Sequence, residues 1–167
     1  MVEPLLHFAI PLAAFSLAGE DRKTALALAT IAVLPDLDAL LHVHRSMTHS
    51  LLVVVVPILA LALFLKSHRR FLALAYLSLA SHIFLDLFVA YTPILWPLTP
   101  YSYWVKAACY VHIASVPSPW LAIELCATET RFAPFTDLTA ELVTGEGFAL
   151  SLPLFLVWLL SEKSRGG

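Results

Sequence analysis

The sequence predicts an all-α membrane protein, a bundle of four to five membrane-spanning helices with one segment at the lipid–water interface. Hydrophobic residues make up 60% of the 167 residues and charged residues only 13%, whereas charged residues are about 25% of an ordinary globular domain. The mean hydropathy of +0.84 excludes a disordered chain and disfavours a water-soluble one. Apolar runs recur along the chain, so we expect one integral membrane domain over residues 1–167.

Four apolar runs predict the first four helices. They cover residues 5–17, 24–41, 51–65 and 71–90. The first run is preceded by Glu3 instead of the Lys or Arg of a signal peptide, so we expect it to be retained as a span. Several runs are shorter than the roughly 20 residues that cross a hydrocarbon core, which predicts tilted helices or a locally thinned bilayer.

The last third of the chain has a different pattern. Segment 101–147 mixes aromatic residues such as Tyr103 and Trp104 with prolines and scattered charges, as expected of chain at a lipid–water interface. We therefore predict an interfacial cap here rather than a span. A further apolar stretch predicts a final helix over 148–162, which leaves 1–100 as the helical core that carries the motifs.

The charge balance and the cysteines exclude several functions. The net charge is −2 and the isoelectric point is near 6.4, and the sequence has no Lys and Arg cluster that could follow a phosphate backbone, so no nucleic acid partner is expected. Cys109 and Cys126 are too few for a disulfide framework and lack the spacing of a metal site. They could pair in an oxidising compartment, or they could pack as free thiols.

If each run crosses the membrane, six titratable side chains fall toward the same face. They are His7, Asp36, Asp38, His49, His82 and Asp86. Residues scattered at random would fall toward both faces, so this convergence predicts a single site. A charged group inside a span costs about 3 kcal/mol or more unless it finds a partner. Pairing with Arg45 is the structural alternative, but one arginine cannot neutralise three carboxylates.

The spacing of these residues suits a shared ion. His82 and Asp86 are four residues apart, which places them one turn apart on the same helix face. Asp36 and Asp38 would point about 200° apart on a regular helix. Because Pro35 disfavours helical geometry at the residue before it, we expect a broken helix that turns both carboxylates inward.

The donor set predicts metal chemistry. Mixed His and Asp ligands suit Zn best, with Mn, Fe or Mg as alternatives. Six candidate ligands exceed the needs of one ion, which predicts two ions bridged by an aspartate, an arrangement that hydrolyses phosphoesters. Arg45 is expected to bind a substrate phosphate in bidentate fashion, or else to pair with an aspartate. His44 is a candidate proton shuttle.

Three motifs, in order, resemble a known family. They are LPDLD at 34–38, HRSMTHS at 44–50 and SHIFLD at 81–86, with LWPL following at 95–98. The pattern resembles the small prokaryotic membrane-bound metal-dependent hydrolases over about the first hundred residues, and His7 is similar to the family's N-terminal histidine. The resemblance implies a metal-dependent hydrolase with His7, Asp36, Asp38, His49, His82 and Asp86 at the metal site and His44 and Arg45 in support.

The distribution of basic residues predicts how the protein is oriented. With alternating spans, the face opposite the site carries seven basic residues and the site face carries three. The seven are Arg22, Lys23, Lys66, Arg69, Arg70, Lys163 and Arg165, and the three are Arg45, Lys106 and Arg131. The positive-inside rule then places the site on the extracytoplasmic face of the prokaryotic cytoplasmic membrane.

The expected reaction is hydrolysis of a phosphoester in a membrane lipid or another amphiphile, because such a substrate can reach the site by diffusing within the bilayer. A transporter or permease that passes ions through the same His and Asp cluster is the alternative. Against this alternative, the polar groups gather toward one face, and no inverted repeat is visible in the sequence.

Overall fold

The computed structural model describes residues 4–113, 118–137 and 142–163, which form five α-helices and one antiparallel β-hairpin. The helices are α1 (Pro4–Leu17), α2 (Arg22–Ala32), α3 (Leu51–Phe64), α4 (Arg69–Leu87) and α5 (Gly145–Lys163), and the strands are β1 (Tyr101–His112) and β2 (Ser118–Glu129). Short 3-10 helices at Leu34–Leu41, Met47–His49 and Lys66–His68 join α2, α3 and α4.

The prediction of a four-to-five-span, all-α bundle is wrong. Within the described ranges, two helical stretches are long and apolar enough to cross a membrane: Arg22–Leu41, with 20 residues, and Lys66–Leu87, with 22 residues. Both include a 3-10 segment joined to an α-helix. The helices α1 and α3 are apolar, but each has only 14 residues, about 21 Å of helix against a hydrocarbon core of about 30 Å. The apolar composition indicated a membrane environment, but the number of spans predicted from it was too high.

The second error in the fold class concerns segment 101–147. Twelve residues of β1 pair in antiparallel register with twelve of β2, from Tyr101 opposite Glu129 to His112 opposite Ser118. Aromatic and β-branched residues such as Trp104 and Ile123 suit a strand as well as a membrane interface. The prediction interpreted these residues only as interfacial, and the hairpin was therefore missed.

Helices α2 and α4 run in the same direction, which gives the molecule two distinct ends. At the start of both helices, the Arg70 guanidinium lies 2.7 Å from the Glu20 carboxylate. We call this the basic end, and the opposite end of α2 and α4, where Leu41 and Leu87 lie, the site end. Helix α3 runs back from the site end to the basic end, because it joins the two parallel segments.

The core between these ends is apolar and closely packed. Leu12 of α1 packs with Ala25 and Ala29 of α2, and partly buried aromatic residues such as Phe8 and Phe155 surround them. Small residues let helices approach closely in a membrane. The hydroxyl of Ser78 on α4 donates a hydrogen bond to the carbonyl of Leu28, so α4 also packs directly on α2.

Candidate metal centre

Helix α4 contributes two buried candidate ligands to the site end. His82 is fully buried and Asp86 is only 2% exposed, and their spacing of four residues places both on one face of the helix, as the sequence predicted. The Nε2 atom of His82 lies 3.5 Å from Asp36 Oδ1. Asp86 Oδ2 lies 3.5 Å from His49 Nε2.

The helix break near Pro35 positions the other two carboxylates. Helix α2 ends at Ala32 and the chain continues as a 3-10 helix with Pro35 in its first turn, which confirms the predicted break. Residues two apart in a 3-10 helix point roughly 240° apart, yet both carboxylates reach one imidazole. Asp36 Oδ1 lies 3.7 Å from His49 Nε2, and Asp38 Oδ2 lies 3.3 Å from His49 Nδ1. The two aspartates therefore bracket the ring.

Four side chains form a group that could hold a metal ion. Asp36, His49, His82 and Asp86 each offer one ligand atom, and these atoms all lie within 4.8 Å of one another. The Nε2 atoms of His49 and His82 face each other at 3.3 Å. Two imidazole nitrogens with two carboxylates form a donor set that suits Zn and similar divalent ions.

His7 supports the interpretation as a metal site, because its buried ring nitrogens lack hydrogen bonds in the described part of the chain. Its ring stacks on His82 with 3.8 Å between centroids, and its Nε2 lies 3.4 Å from Asp86 Oδ1. Within the described residues, neither ring nitrogen of His7 nor Asp36 Oδ2 makes a hydrogen bond, although all three atoms are buried. Buried polar atoms are nearly always satisfied, so an ion between these side chains would supply the missing partner.

A second group shares His49. Asp38, His44 and His49 also bring one ligand atom each within 4.8 Å of the others. Asp38 Oδ2 accepts hydrogen bonds from the Ser46 amide at 2.8 Å and the Thr48 hydroxyl at 2.9 Å, while Asp38 Oδ1 lies 3.4 Å from His44 Nδ1. A carboxylate on the far nitrogen of a ligating histidine fixes its orientation and tautomer. Asp38 therefore stands where it can bind an ion or orient His49.

Ser46 and Thr48 have a structural role at the site that was not predicted, although both lie in the HRSMTHS motif. Ser46 caps the 3-10 helix Met47–His49, and its side chain accepts from the Thr48 amide. A hydroxyl residue just before a short helix, with a second one inside its first turn, is the sequence signal for such local bonds. They hold the loop so that Asp38 and His49 meet.

The electrostatics favour a positive charge among these groups. Burial lowers the pKa of His49, but the nearby carboxylates of Asp36 and Asp38 oppose this effect, and the net result is a raised pKa. Carboxylates close to a ring stabilise its protonated form. The same field would stabilise a cation held at the ring nitrogens.

Arg45 and His44 form the more open side of the centre. Arg45 donates to Asp86 twice, from Nε at 3.0 Å and from Nη2 at 3.2 Å, so the pairing that the sequence left as an alternative is the observed one. The backbone of Arg45 is left-handed, with φ of 55°, a conformation that costs a non-glycine residue of order 1 kcal/mol. The side chains of Arg45 and His44 are 15% and 14% exposed.

An apolar groove lies beside Asp38. Its volume is about 480 Å³, and apart from Asp38, Ser46 and Thr48 it is lined by apolar residues. They are Leu34, Leu37, Leu41, Val43, Met47 and Phe132. The groove is therefore apolar along most of its lining and reaches the polar side chains of the second group at Asp38.

Two candidate membrane helices and a buried His and Asp group that could hold a metal ion define a helical membrane protein with a candidate metal centre. A family model described as YdjM inner membrane protein matches residues 2–161, and the chain belongs to this family. The match confirms the predicted membership of a small prokaryotic membrane family and extends it well beyond residue 100. Comparisons with curated proteins and with solved structures gave no match.

Proposed function

We propose that this protein is a metal-dependent hydrolase of the inner membrane that cleaves a phosphoester in a lipid or another amphiphile. The observation that carries the proposal is the convergence of Asp36, His49, His82 and Asp86, with ligand atoms within 4.8 Å of one another in a buried setting. A lone structural ion pair does not require four such groups, and the buried His7 Nδ1, which makes no hydrogen bond among the described residues, adds to the argument.

The four residues and His7 would hold the first ion. A bound divalent ion would act as a Lewis acid and lower the pKa of water. Zn fits the mixed donors best, and Mn, Fe or Mg are the alternatives. A second ion would use Asp38, with His49 offering its other ring nitrogen, and His44 would stay free of the metal.

His44 is the proposed proton acceptor. Its Nδ1 lies 3.4 Å from Asp38 Oδ1, and its Nε2 is buried without a hydrogen-bond partner in the described parts of the chain. A carboxylate at Nδ1 favours the tautomer that leaves Nε2 with its lone pair. His44 would then take the proton of the attacking water at Nε2 and return it to the leaving oxygen.

Arg45 would bind the phosphoryl oxygens. Two of its nitrogens are held by Asp86, which fixes the guanidinium plane at the open side of the centre. A preoriented guanidinium stabilises the charge that develops on a phosphoryl group in the transition state. The apolar groove beside Asp38 would accept the substrate's hydrocarbon tail.

The basic end supports a proposal about orientation. Five basic residues lie there: Arg22, Lys23, Lys66, Arg69 and Arg70. By the positive-inside rule this end would face the cytoplasm, and the site would face the extracytoplasmic side. The side chain of Lys163, and Arg165, which were counted in the sequence prediction, lie outside the described residues. A cysteine can be introduced at Ser67 to test this orientation. Labelling of this cysteine from outside the cell would contradict the proposed orientation.

Metal analysis followed by substrate screening tests the function. Purified wild type and His82→Ala would be analysed for bound metal, with His68→Ala as the matched control, because His68 is exposed at the basic end. We expect His82→Ala to lose its metal and His68→Ala to retain it. An unchanged metal load in His82→Ala would remove the basis for metal catalysis.

The loaded protein would then be incubated with phospholipids and isoprenoid phosphates, and release of the phosphorylated or dephosphorylated product would be measured. Metal uptake into vesicles without hydrolysis would favour the transporter alternative. That alternative needs a polar path from the site end to the basic end, whereas Leu12, Ala25 and Ala29 form an apolar core between the two ends.

A further inference from the structure

The β-hairpin has one face that is apolar along most of its length. Residues directly opposite each other in an antiparallel pair share a face, and the register pairs Val105 with Leu125, Ala107 with Ile123, and Cys109 with Leu121. We call these six residues the apolar face. Leu121, Ile123 and Leu125 are each 64 to 67% exposed, so the described chain leaves this face uncovered.

The other face has a different chemistry. Lys106 lies opposite Glu124 in the register, and the Lys106 ammonium lies 4.5 Å from the centre of the Trp104 ring. The rings of Tyr110 and Trp120 stack with 5.3 Å between centroids. Charged residues mixed with Tyr and Trp are typical of a surface that meets water and lipid headgroups.

The hairpin leaves the helices where a candidate span ends. Thr92 and Tyr103 exchange two backbone hydrogen bonds, of 2.8 and 2.9 Å, and the Trp104 indole donates to the Phe88 carbonyl at 3.4 Å. Both contacts lie just beyond Leu87, the last residue of the span Lys66–Leu87. The base of the hairpin therefore lies at the site end, just beyond the end of this candidate span.

We propose that the hairpin lies on the bilayer at the site end, with its apolar face against the acyl chains and its Lys106 face toward water. A two-stranded sheet is at best marginally stable in water and needs a surface to cover it. For an inner membrane protein whose hairpin starts where a span ends, the bilayer is that surface. Strands of 12 residues reach about 40 Å in the membrane plane. This proposal does not depend on the hydrolase proposal.

Two native cysteines make the test direct. Cys109 is on the apolar face and Cys126, opposite Trp104, is on the other. In the isolated chain Cys109 is exposed and Cys126 is partly buried, so geometry alone predicts that Cys109 reacts faster. Coverage by lipid reverses this order, because a thiol reacts as the thiolate and hydrocarbon suppresses its formation.

The measurement compares the single-cysteine variants Cys126→Ala and Cys109→Ala in nanodiscs of phosphatidylethanolamine and phosphatidylglycerol, which leave both leaflets open to solvent. A charged, water-soluble maleimide should label Cys109 about tenfold more slowly than Cys126. Labelling after denaturation controls for intrinsic reactivity and should be equal. A bimane on Cys109 should also be quenched by nitroxides on the acyl chains. Labelling of Cys109 at least as fast as Cys126 in nanodiscs would overturn the proposal.

A matched pair of substitutions sharpens the test. Ile123→Lys puts a charge on the apolar face, and Ala122→Lys puts the same charge one residue away on the opposite face. In the Cys126→Ala background, the first should speed Cys109 labelling in nanodiscs and the second should leave it unchanged. An oxidative Cys109–Cys109 cross-link between two chains would assign the apolar face to a second copy instead and would contradict the proposal.

Discussion

Two arginine–carboxylate pairs lie at opposite ends of helices α2 and α4, and they differ in burial more than in distance. Arg70 and Glu20 are 2.7 Å apart with side chains 81% and 12% exposed. Arg45 and Asp86 are 3.0 Å apart with side chains 15% and 2% exposed. Solvent screens the first pair, whereas the second cannot be broken without leaving a buried charge. The shorter contact is therefore the weaker one.

The two ends also differ in the sign of their charge surplus. At the site end three carboxylates, Asp36, Asp38 and Asp86, gather near Arg45 and several histidines. At the basic end the surplus is cationic and exposed to solvent or headgroups. Among the described residues, buried carboxylates outnumber their cationic partners at the site end, and a bound cation there would offset the imbalance.

The largest effect is expected for Asp86→Ala. This change removes a candidate ligand and leaves Arg45 without its partner in a partly buried site, so we expect a loss of about 3 kcal/mol of stability together with the bound metal. Thermal unfolding in detergent and elemental analysis measure the two effects. In the double variant Arg45→Met/Asp86→Ala, stability should recover while metal binding does not. A loss as small as that of an exposed pair would contradict this view of the site end.

Asp38→Asn should have the next largest effect. Because Asp38 is a proposed ligand of the second ion, the variant should lose one ion per chain, as measured by elemental analysis and chelator competition. Asp137→Asn, a change at an exposed carboxylate, is the control and should bind metal normally. A fall in metal affinity of about 10- to 100-fold with the stoichiometry unchanged would instead make Asp38 a residue that orients His49.

Much of the site end could be predicted because its signals are local. The spacing of His82 and Asp86 fixes a shared helix face, and Pro35 forces the break that precedes Asp36. The contact of His7 with His82 joins α1 to α4, and the sequence indicated it only through the expected ends of the spans. The bonds from Ser46 and Thr48 to Asp38 depend on loop geometry, including the positive φ of Arg45, which no residue pattern there indicates.

The hairpin and the number of spans could not be predicted from the same signals. Hydrophobic runs report burial in any apolar environment, so the 14-residue helices α1 and α3 resembled spans. Pairing between β1 and β2 is a contact between distant residues, and aromatic residues at 101–112 are equally consistent with an interface. Composition therefore predicts whether a segment lies in an apolar environment better than it predicts the segment's backbone conformation.

At the basic end, Glu20→Gln should have a small effect. It weakens the pair with Arg70, whose exposed guanidinium is screened by solvent, so the pair is worth about 1 kcal/mol or less. The melting temperature should change little, and the change should shrink further at high salt because exposed charges are screened. Metal content, measured beside Asp86→Ala, should equal that of wild type. A stability loss as large as that of Asp86→Ala would remove the difference between the two ends.

The smallest effect concerns Asp21, which caps helix α2 at the basic end. The Thr24 hydroxyl and the amides of Thr24 and Lys23 donate to its carboxylate, and these hydrogen bonds, led by the hydroxyl, lower the pKa of Asp21 from its ordinary value of 3.8. Because the folded pKa is depressed, the charged cap stabilises the helix above pH 3.8, and this contribution is lost as the pH falls through the folded pKa. Asp21→Asn keeps a capping acceptor but cannot titrate. Between pH 6 and pH 3 the wild-type melting temperature should therefore fall relative to the variant by about 2 °C or less, since all other carboxylates titrate equally in both proteins. A relative rise at low pH would show that the cap does not favour the ionised form.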